Sequence, residues 1–258
     1  MKKLKVLGLA AIAAGMFSLT SCLDGDGNKI SNTGYAIIDY SSTFRKLVYT
    51  PHGPLYIQNI SDDLSYEAGN CVIVQYQVDM DSEANKNASA NGHYVATGVA
   101  TSPLGMGNIS FSPVDSTVLN NELLMKGAEC GLMMSPNYQR ILSFPQFENL
   151  LTDQKNEYRL FFDPNQQPET VNSMERVYTL YLRSQKLEDG KAPSVTGGSD
   201  IYTFDAGMLY TMLKSRESGK EAAYCQVKYP TGYNADSTKI NSWGTSSVFQ
   251  IYFLEEGK

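Results

Sequence analysis

Cys71-Val72-Ile73-Val74-Gln75-Tyr76-Gln77-Val78-Asp79 carries the clearest local signal in the chain. Val72, Val74, Tyr76 and Val78 fall on one face, and Gln75, Gln77 and Asp79 on the other. A period of two marks a strand with one face in a core and the other toward water. Shorter β-branched and aromatic runs flank it: Gly34–Tyr40, Phe44–Tyr49 and Leu55–Gln58 before, Gly92–Ala100 after. Pro51-His52-Gly53-Pro54 punctuates the first three as a turn, and Asp81–Asn91 is a polar loop. Five short strands with one long loop between the fourth and fifth predict a small closed barrel of the OB type.

Moving outward, Thr101–Asp115 is rich in Gly, Pro, Ser and Thr and reads as a linker, with a domain boundary near residue 104. Beyond it, Tyr158–Phe162, Arg176–Arg183, Ala222–Tyr229 and Ser247–Leu254 read as strands. Met208, Leu209, Met212 and Leu213 recur at helical spacing within Asp205–Glu217, which predicts a short helix stopped by Gly219. Lys186–Ser199 and Pro230–Ser242 are turn-rich connections. Strands without regular βα alternation favour a β-sandwich over a parallel sheet. The expectation is an all-β protein: an OB-like barrel over 33–103, then a β-sandwich with one or two short helices over 104–258.

The opposite end of the chain gives an address. Lys2, Lys3 and Lys5 precede an apolar run from Val6 to Phe17, too short for a comfortable membrane span. Small residues follow, so 1–21 reads as a signal peptide. Leu19-Thr20-Ser21-Cys22 resembles the bacterial lipobox, with cleavage between Ser21 and Cys22 and lipid on Cys22. Residues 22–32 then form the lipidated cysteine and a polar tether. Asp24 and Asp26 in that tether resemble the surface-export signal of Bacteroidota lipoproteins. The expected location is the outer membrane, through lipid and not through a spanning helix.

Composition limits the function. The 258 residues are 42% hydrophobic and 19% charged, which suits packed domains and excludes a disordered chain. Without the three leader lysines, 18 basic residues face 27 acidic ones, which argues against nucleic acid as a partner. Cys71, Cys130 and Cys225 allow at most one bridge, and no Cys-x-x-Cys suggests a redox pair or zinc knuckle.

Residues that could carry chemistry are few. Asp79-Met80-Asp81-Ser82-Glu83 offers Asp79, Asp81 and Glu83 as a metal candidate. Ala84 and Ala90 stand where an EF-hand needs Gly and Glu, so a charged strand exit is preferred. No cofactor motif is present: Gly105-Met106-Gly107-Asn108-Ile109-Ser110 ends in Ser and follows no βα context. His52 and His93 are isolated and read as surface or core residues. Neither a Gly-x-Ser-x-Gly elbow nor a Ser-x-x-Lys occurs. Asp39, Asp163 and Glu175 are carboxylates that glycan hydrolysis could use. The 17 tyrosines, with Trp243, could instead stack on sugars.

The order of lipobox, acidic tether, Gly34–Tyr40 and Ala68-Gly69-Asn70-Cys71-Val72-Ile73-Val74 resembles the NigD-like lipoproteins of Bacteroides and relatives. Arg176–Arg183 is similar to strand motifs of that group. The resemblance implies an OB-type barrel followed by a β-sandwich, with no established catalytic residues to carry over. Asp115-Ser116-Thr117 and Asp236-Ser237-Thr238 resemble Bacteroidota O-glycosylation acceptors. The reading is a non-enzymatic, lipid-anchored envelope lipoprotein that binds or assembles, with envelope proteins or glycans as partners. The alternative is a glycan-binding or carboxylate-dependent glycan-processing lipoprotein.

Overall fold

The computed structural model describes residues 28–196 and 198–253. The expected signal peptide, the expected Ser21–Cys22 cleavage and the expected tether up to residue 27 fall outside the described residues. The chain divides into two units. The first runs through Leu104 and includes Met133–Tyr138; the second comprises Gly105–Leu132 and the chain from Gln139 onward.

In the first unit, β1 (Lys29–Tyr40), β2 (Lys46–Thr50), β3 (Gly53–Ile57), β4 (Cys71–Asp79) and β5 (Tyr94–Ala100) close a barrel in the order β1-β2-β3-β5-β4. The alternation in β4 does what it predicts: Val72, Val74, Tyr76 and Val78 are buried, while Gln75 and Gln77 are exposed. They join Ala36, Ile38, Val48, Leu55, Ile57 and Ile60 in one core. Each Val, Leu or Ile so buried contributes about 1.5–3 kcal/mol relative to exposure. Gln58–Ser61 forms one helical turn, α1, after β3; α2 (Ala88–Asn91) and a 3-10 turn at Glu83–Asn85 order the loop before β5. Buried Asn85 fastens that loop, donating to the Asp79 and Val95 carbonyls and accepting from Val95 N–H at 2.7 Å.

One boundary differs from expectation. Lys29–Asn32, read as tether, belong to β1 and pair with β4, Lys29 opposite Asp79 and Asn32 opposite Tyr76. The backbone ladder holds these residues, so their polarity gave no hydrophobic period to read.

The second unit is also built of strands. These are β6 (Met106–Ser110), β7 (Gly127–Met134), β8 (Gln139–Gln146), β9 (Asn149–Thr152), β10 (Lys155–Phe162), β11 (Glu169–Val171), β12 (Met174–Glu188), β13 (Lys191–Thr196), β14 (Tyr202–Asp205), β15 (Ala222–Tyr233), β16 (Ile240–Thr245) and β17 (Phe249–Tyr252). The last residues of β7 are grouped with the first unit. The all-β expectation therefore holds along the described chain. The main assembly is one curled sheet of ten strands, in the order β16-β15-β12-β10-β6-β14-β8-β7, with β11 beside β12 and β17 beside β15. It is a mixed sheet: β6 runs parallel to both β10 and β14, and β12 parallel to β15. β9 and β13 form a separate antiparallel pair.

Val177, Tyr178, Leu180 and Leu182 of β12 are buried in a nearly continuous run, as a strand covered on both faces requires. The predicted helix is present as α3 (Gly207–Arg216), with Leu209 and Leu213 inward and Met208 out. Among the described residues, no helix is long and apolar enough to cross a membrane.

A buried ion pair, Arg183 with Glu122, sits inside this sheet unit. The Arg183 Nε donates to Glu122 Oε1 at 2.6 Å, and its Nη2 pairs with the other carboxylate oxygen. Arg183 also donates to the Asp115 and Thr117 carbonyls, each at 2.7 Å. Glu122 further accepts from Leu119 N–H. Arg183 thus ties the 115–122 segment to β12, beside the backbone bond from Lys186 N–H to the Asn121 carbonyl.

Candidate functional site

The β1–β2 turn is unusually constrained. Ser41 N–H donates to the Arg45 carbonyl, Phe44 N–H to the Ser41 carbonyl, and Arg45 N–H to Ser41 Oγ. This knitting holds Phe44 at φ 59°, a left-handed conformation that bulky side chains avoid. The ring is not folded into the barrel core; Phe44 is 88% exposed.

Facing that turn within the same unit are β3 and the segment after it. Tyr56 lies under the Arg45 guanidinium, 4.8 Å from carbon to ring centroid. Its hydroxyl donates to the Asp62 carboxylate at 3.2 and 3.3 Å. Leu64, 89% exposed, stands beside them. Together with Tyr40, Thr43, Lys46 and Ser61, these residues line an open groove of about 500 Å³. The volume falls within the range of small-ligand sites.

The groove is preorganised by polar contacts. His93 Nδ1 lies 2.9 Å from the Asn91 carbonyl and Nε2 lies 3.2 Å from Arg45 Nη1. A carbonyl only accepts, so Nδ1 carries the proton and Nε2 receives the Arg45 N–H. Arg45 is thereby held over the Tyr56 ring. Burial, then the adjacent Asp62 carboxylate, raise the Tyr56 hydroxyl above its usual range, with Arg45 opposing. Lys46 Nζ donates to the Asp63 and Tyr66 carbonyls. Ser61 is buried and its Oγ has no hydrogen-bond partner in the structure.

The sequence carries little local signal of this groove. Phe44–Tyr49 has the composition of a strand, whereas β2 begins at Lys46 and Phe44 turns outward. His93, read as isolated, is the residue that fixes Arg45. Arg45-Lys46 is the longest basic run after residue 5, and a pair so short carries no signal of a site.

The residues singled out from sequence have other duties. Asp79 Oδ1 accepts from Asp81 N–H, Asp81 Oδ1 accepts from Asn28, and Glu83 pairs with Lys86. Among the described residues, no group of three His, Cys, Asp or Glu is placed to hold a metal. Asp39 is fully buried and accepts from Asn137 N–H at 2.9 Å and Asn137 Nδ2 at 3.0 Å. Asp163 caps the following turn through Asn165 N–H, and Glu175 is exposed on β12. Trp243, half-buried on β16, meets Tyr181 edge-on at 5.2 Å. Cys71 and Cys225 are buried, and burial pushes the Cys225 thiol up. The two Asp-Ser-Thr tripeptides share one geometry: Asp115 and Asp236 each accept from the N–H and hydroxyl of the Thr two residues on. They lie side by side through a Thr117–Lys239 bridge.

Residues 26–102 match the family described as lipoprotein OB domain. The crystal structure of an uncharacterized protein from Parabacteroides merdae matches with 51% identity and a TM-score of 0.84, over 86% of this chain and 99% of that one. A protein from Bacteroides fragilis, proposed to be a lipoprotein, matches at 11% identity with a TM-score of 0.52, over 88% of this chain and 99% of that one. That second likeness is one of fold. A search of the curated proteins finds no match.

Proposed function

From the premise that this chain belongs to the same family as the Parabacteroides merdae protein and carries a lipoprotein OB domain, we propose that it is an envelope lipoprotein serving as a non-enzymatic binding module. The groove on the barrel is its binding site. The observation that carries this reading is the presentation of Phe44 and Leu64 to solvent beside the Arg45–Tyr56 stack. An aromatic side chain held outward in a conformation that costs about 1–3 kcal/mol is best explained by use. Preorganised, exposed rings lower the entropic cost of capturing a ligand.

The proposal includes the anchor. Cys22 takes lipid and holds the protein at the outer membrane, and the Asp24 and Asp26 tether, which resembles a surface-export signal, supports exposure at the cell surface. Its partners are envelope proteins or glycans. Cells fed labelled palmitate should label the wild-type chain and not Cys22→Ser, and the variant should leave the membrane fraction. Equal labelling of both would remove the anchor from the proposal.

A further inference from the structure

We propose that Asn91 is a site of spontaneous deamidation, and that its isoaspartyl product releases the hold of His93 on Arg45 beside the barrel groove. The inference goes beyond the binding-module reading and stands whatever the groove takes up.

Asparagine is among the thermolabile side chains, and Asn91-Gly92 is the only asparagine followed by glycine in the chain. The reaction closes a ring between neighbours, and a glycine puts no side chain in its way. Both reacting groups are unheld. Asn91 is exposed at the end of α2, and its side-chain amide has no hydrogen bond among the described residues. Gly92 N–H has no backbone partner among them either. Gly92 stands at φ 71°, and even a Cβ there would meet nothing within 4 Å, so the turn has room to move. Asn85 and Asn137, by contrast, have bonded amides and are followed by Lys86 and Tyr138.

The chemistry needs only water. Solvent base takes the proton of Gly92 N, which attacks Asn91 Cγ. The N–Cγ bond forms, the Cγ–Nδ2 bond breaks, and Nδ2 leaves as ammonia with a proton from water. Water then opens the five-membered imide. Opening at Cγ gives aspartate; opening at the main-chain carbonyl gives isoaspartate.

Isoaspartate alters the oxygen that holds His93. The main chain now runs through Cγ and is one methylene longer, while the former carbonyl of residue 91 becomes a free carboxylate. His93 Nδ1 lies 2.9 Å from that carbonyl, and Nε2 lies 3.2 Å from Arg45 Nη1. The imidazole bridges the two, so lengthening the chain two residues before it carries Nε2 away from Arg45. The guanidinium over Tyr56 then loses its tie.

The test ages the detergent-solubilised full chain in mildly alkaline buffer at body temperature. It is followed by peptide mass spectrometry and by NMR of isotope-labelled histidine rings. Deamidation at Asn91 should exceed that at every other asparagine by about tenfold or more, because only Asn91 precedes a residue without a side chain. Isoaspartyl methyltransferase should label the same peptide. Asp189-Gly190 can isomerise as well, but without the mass gain that marks an asparagine. The His93 ring signal, assigned against a His52→Gln variant, should move in step with the reaction. Asn91→Gln keeps the backbone carbonyl but would have to close a six-membered ring, so it should neither react nor shift on ageing. No preference for Asn91, aspartate as the sole product, or isoaspartate formed while the His93 signal stays in place would each overturn the proposal. So would the same His93 shift in aged Asn91→Gln.

Discussion

Replacing Arg183 by Met should unfold the second unit well before the wild type. Arg183 and Glu122 are 3% and 0% exposed at their side chains. Arg183→Met removes the paired guanidinium and leaves the Glu122 carboxylate buried with Leu119 N–H as its remaining donor among these contacts. It also strands the Asp115 and Thr117 carbonyls. Breaking a buried pair from one side costs about 3–5 kcal/mol. At roughly 2–4 °C per kcal/mol for a domain of this size, the melting temperature should fall by about 10 °C. Trp243 is the only tryptophan in the chain and packs on Tyr181, two residues from Arg183. Its fluorescence therefore follows this unit selectively within the full protein. The double variant Arg183→Met, Glu122→Leu removes the orphaned charge and should recover at least ~2 kcal/mol of the loss. A single-variant shift under about 2 °C would refute the reasoning, because it would mean the charge had never been desolvated. So would a double variant no more stable than the single.

Other perturbations probe separate parts of the molecule. Hydrogen bonds from Arg176, then Lys220 and Tyr178, hold the Glu217 carboxyl down to about 2 from its ordinary 4.5. A depressed carboxyl stabilises the fold above its unfolded value, so that contribution should be lost as pH falls from 4.5 toward 2. Melting curves against pH should show it, and Glu217→Gln should flatten the dependence in that window. Asp39→Ala leaves the Asn137 donors unsatisfied and should cost about 2 kcal/mol in urea titrations followed by circular dichroism. A Cβ at Gly244 would lie 2.4 Å from Tyr229 Cε2, and that ring is buried. Gly244→Ala should therefore cost about 1–3 kcal/mol, seen as an earlier Trp243 fluorescence transition.

The barrel was readable because its strands follow the simplest rule, a buried residue at every second position. β4 obeys it almost throughout, and the other strands are short runs separated by turn residues. The sheet of the second unit was less readable, and β6 shows why. Met106-Gly107-Asn108-Ile109-Ser110 has the composition of a linker, yet it is an interior strand. Its glycine is useful there: a Cβ at Gly107 would press within 3.2 Å of the Tyr202 ring, and one at Gly105 within 2.5 Å. The aromatic residues of β14 supply the bulk that β6 lacks, and no local pattern reports a partner so distant in sequence. β13 and β16 hid in the same way inside segments rich in turn residues. The groove was illegible for a related reason. Its two sides come from Tyr40–Lys46 and Tyr56–Leu64, and Phe44 faces outward because of a turn conformation that its type disfavours.

The place of β6 bears on the order in which the molecule can be made. All five barrel strands lie between Lys29 and Ala100, so their pairing can finish as soon as that stretch has been synthesised. β6 comes next, but its two neighbours are β10 and β14, and β12 must wait for β15. Parallel pairings of such long sequence separation are slow to form. Until β10 has been made, the chain carries the five paired barrel strands and a strand with both edges bare. Those edges can recruit any extended neighbour. Chains that stop before β10 should therefore aggregate through β6 while their barrel strands stay paired, so truncation would harm the cell through the second unit.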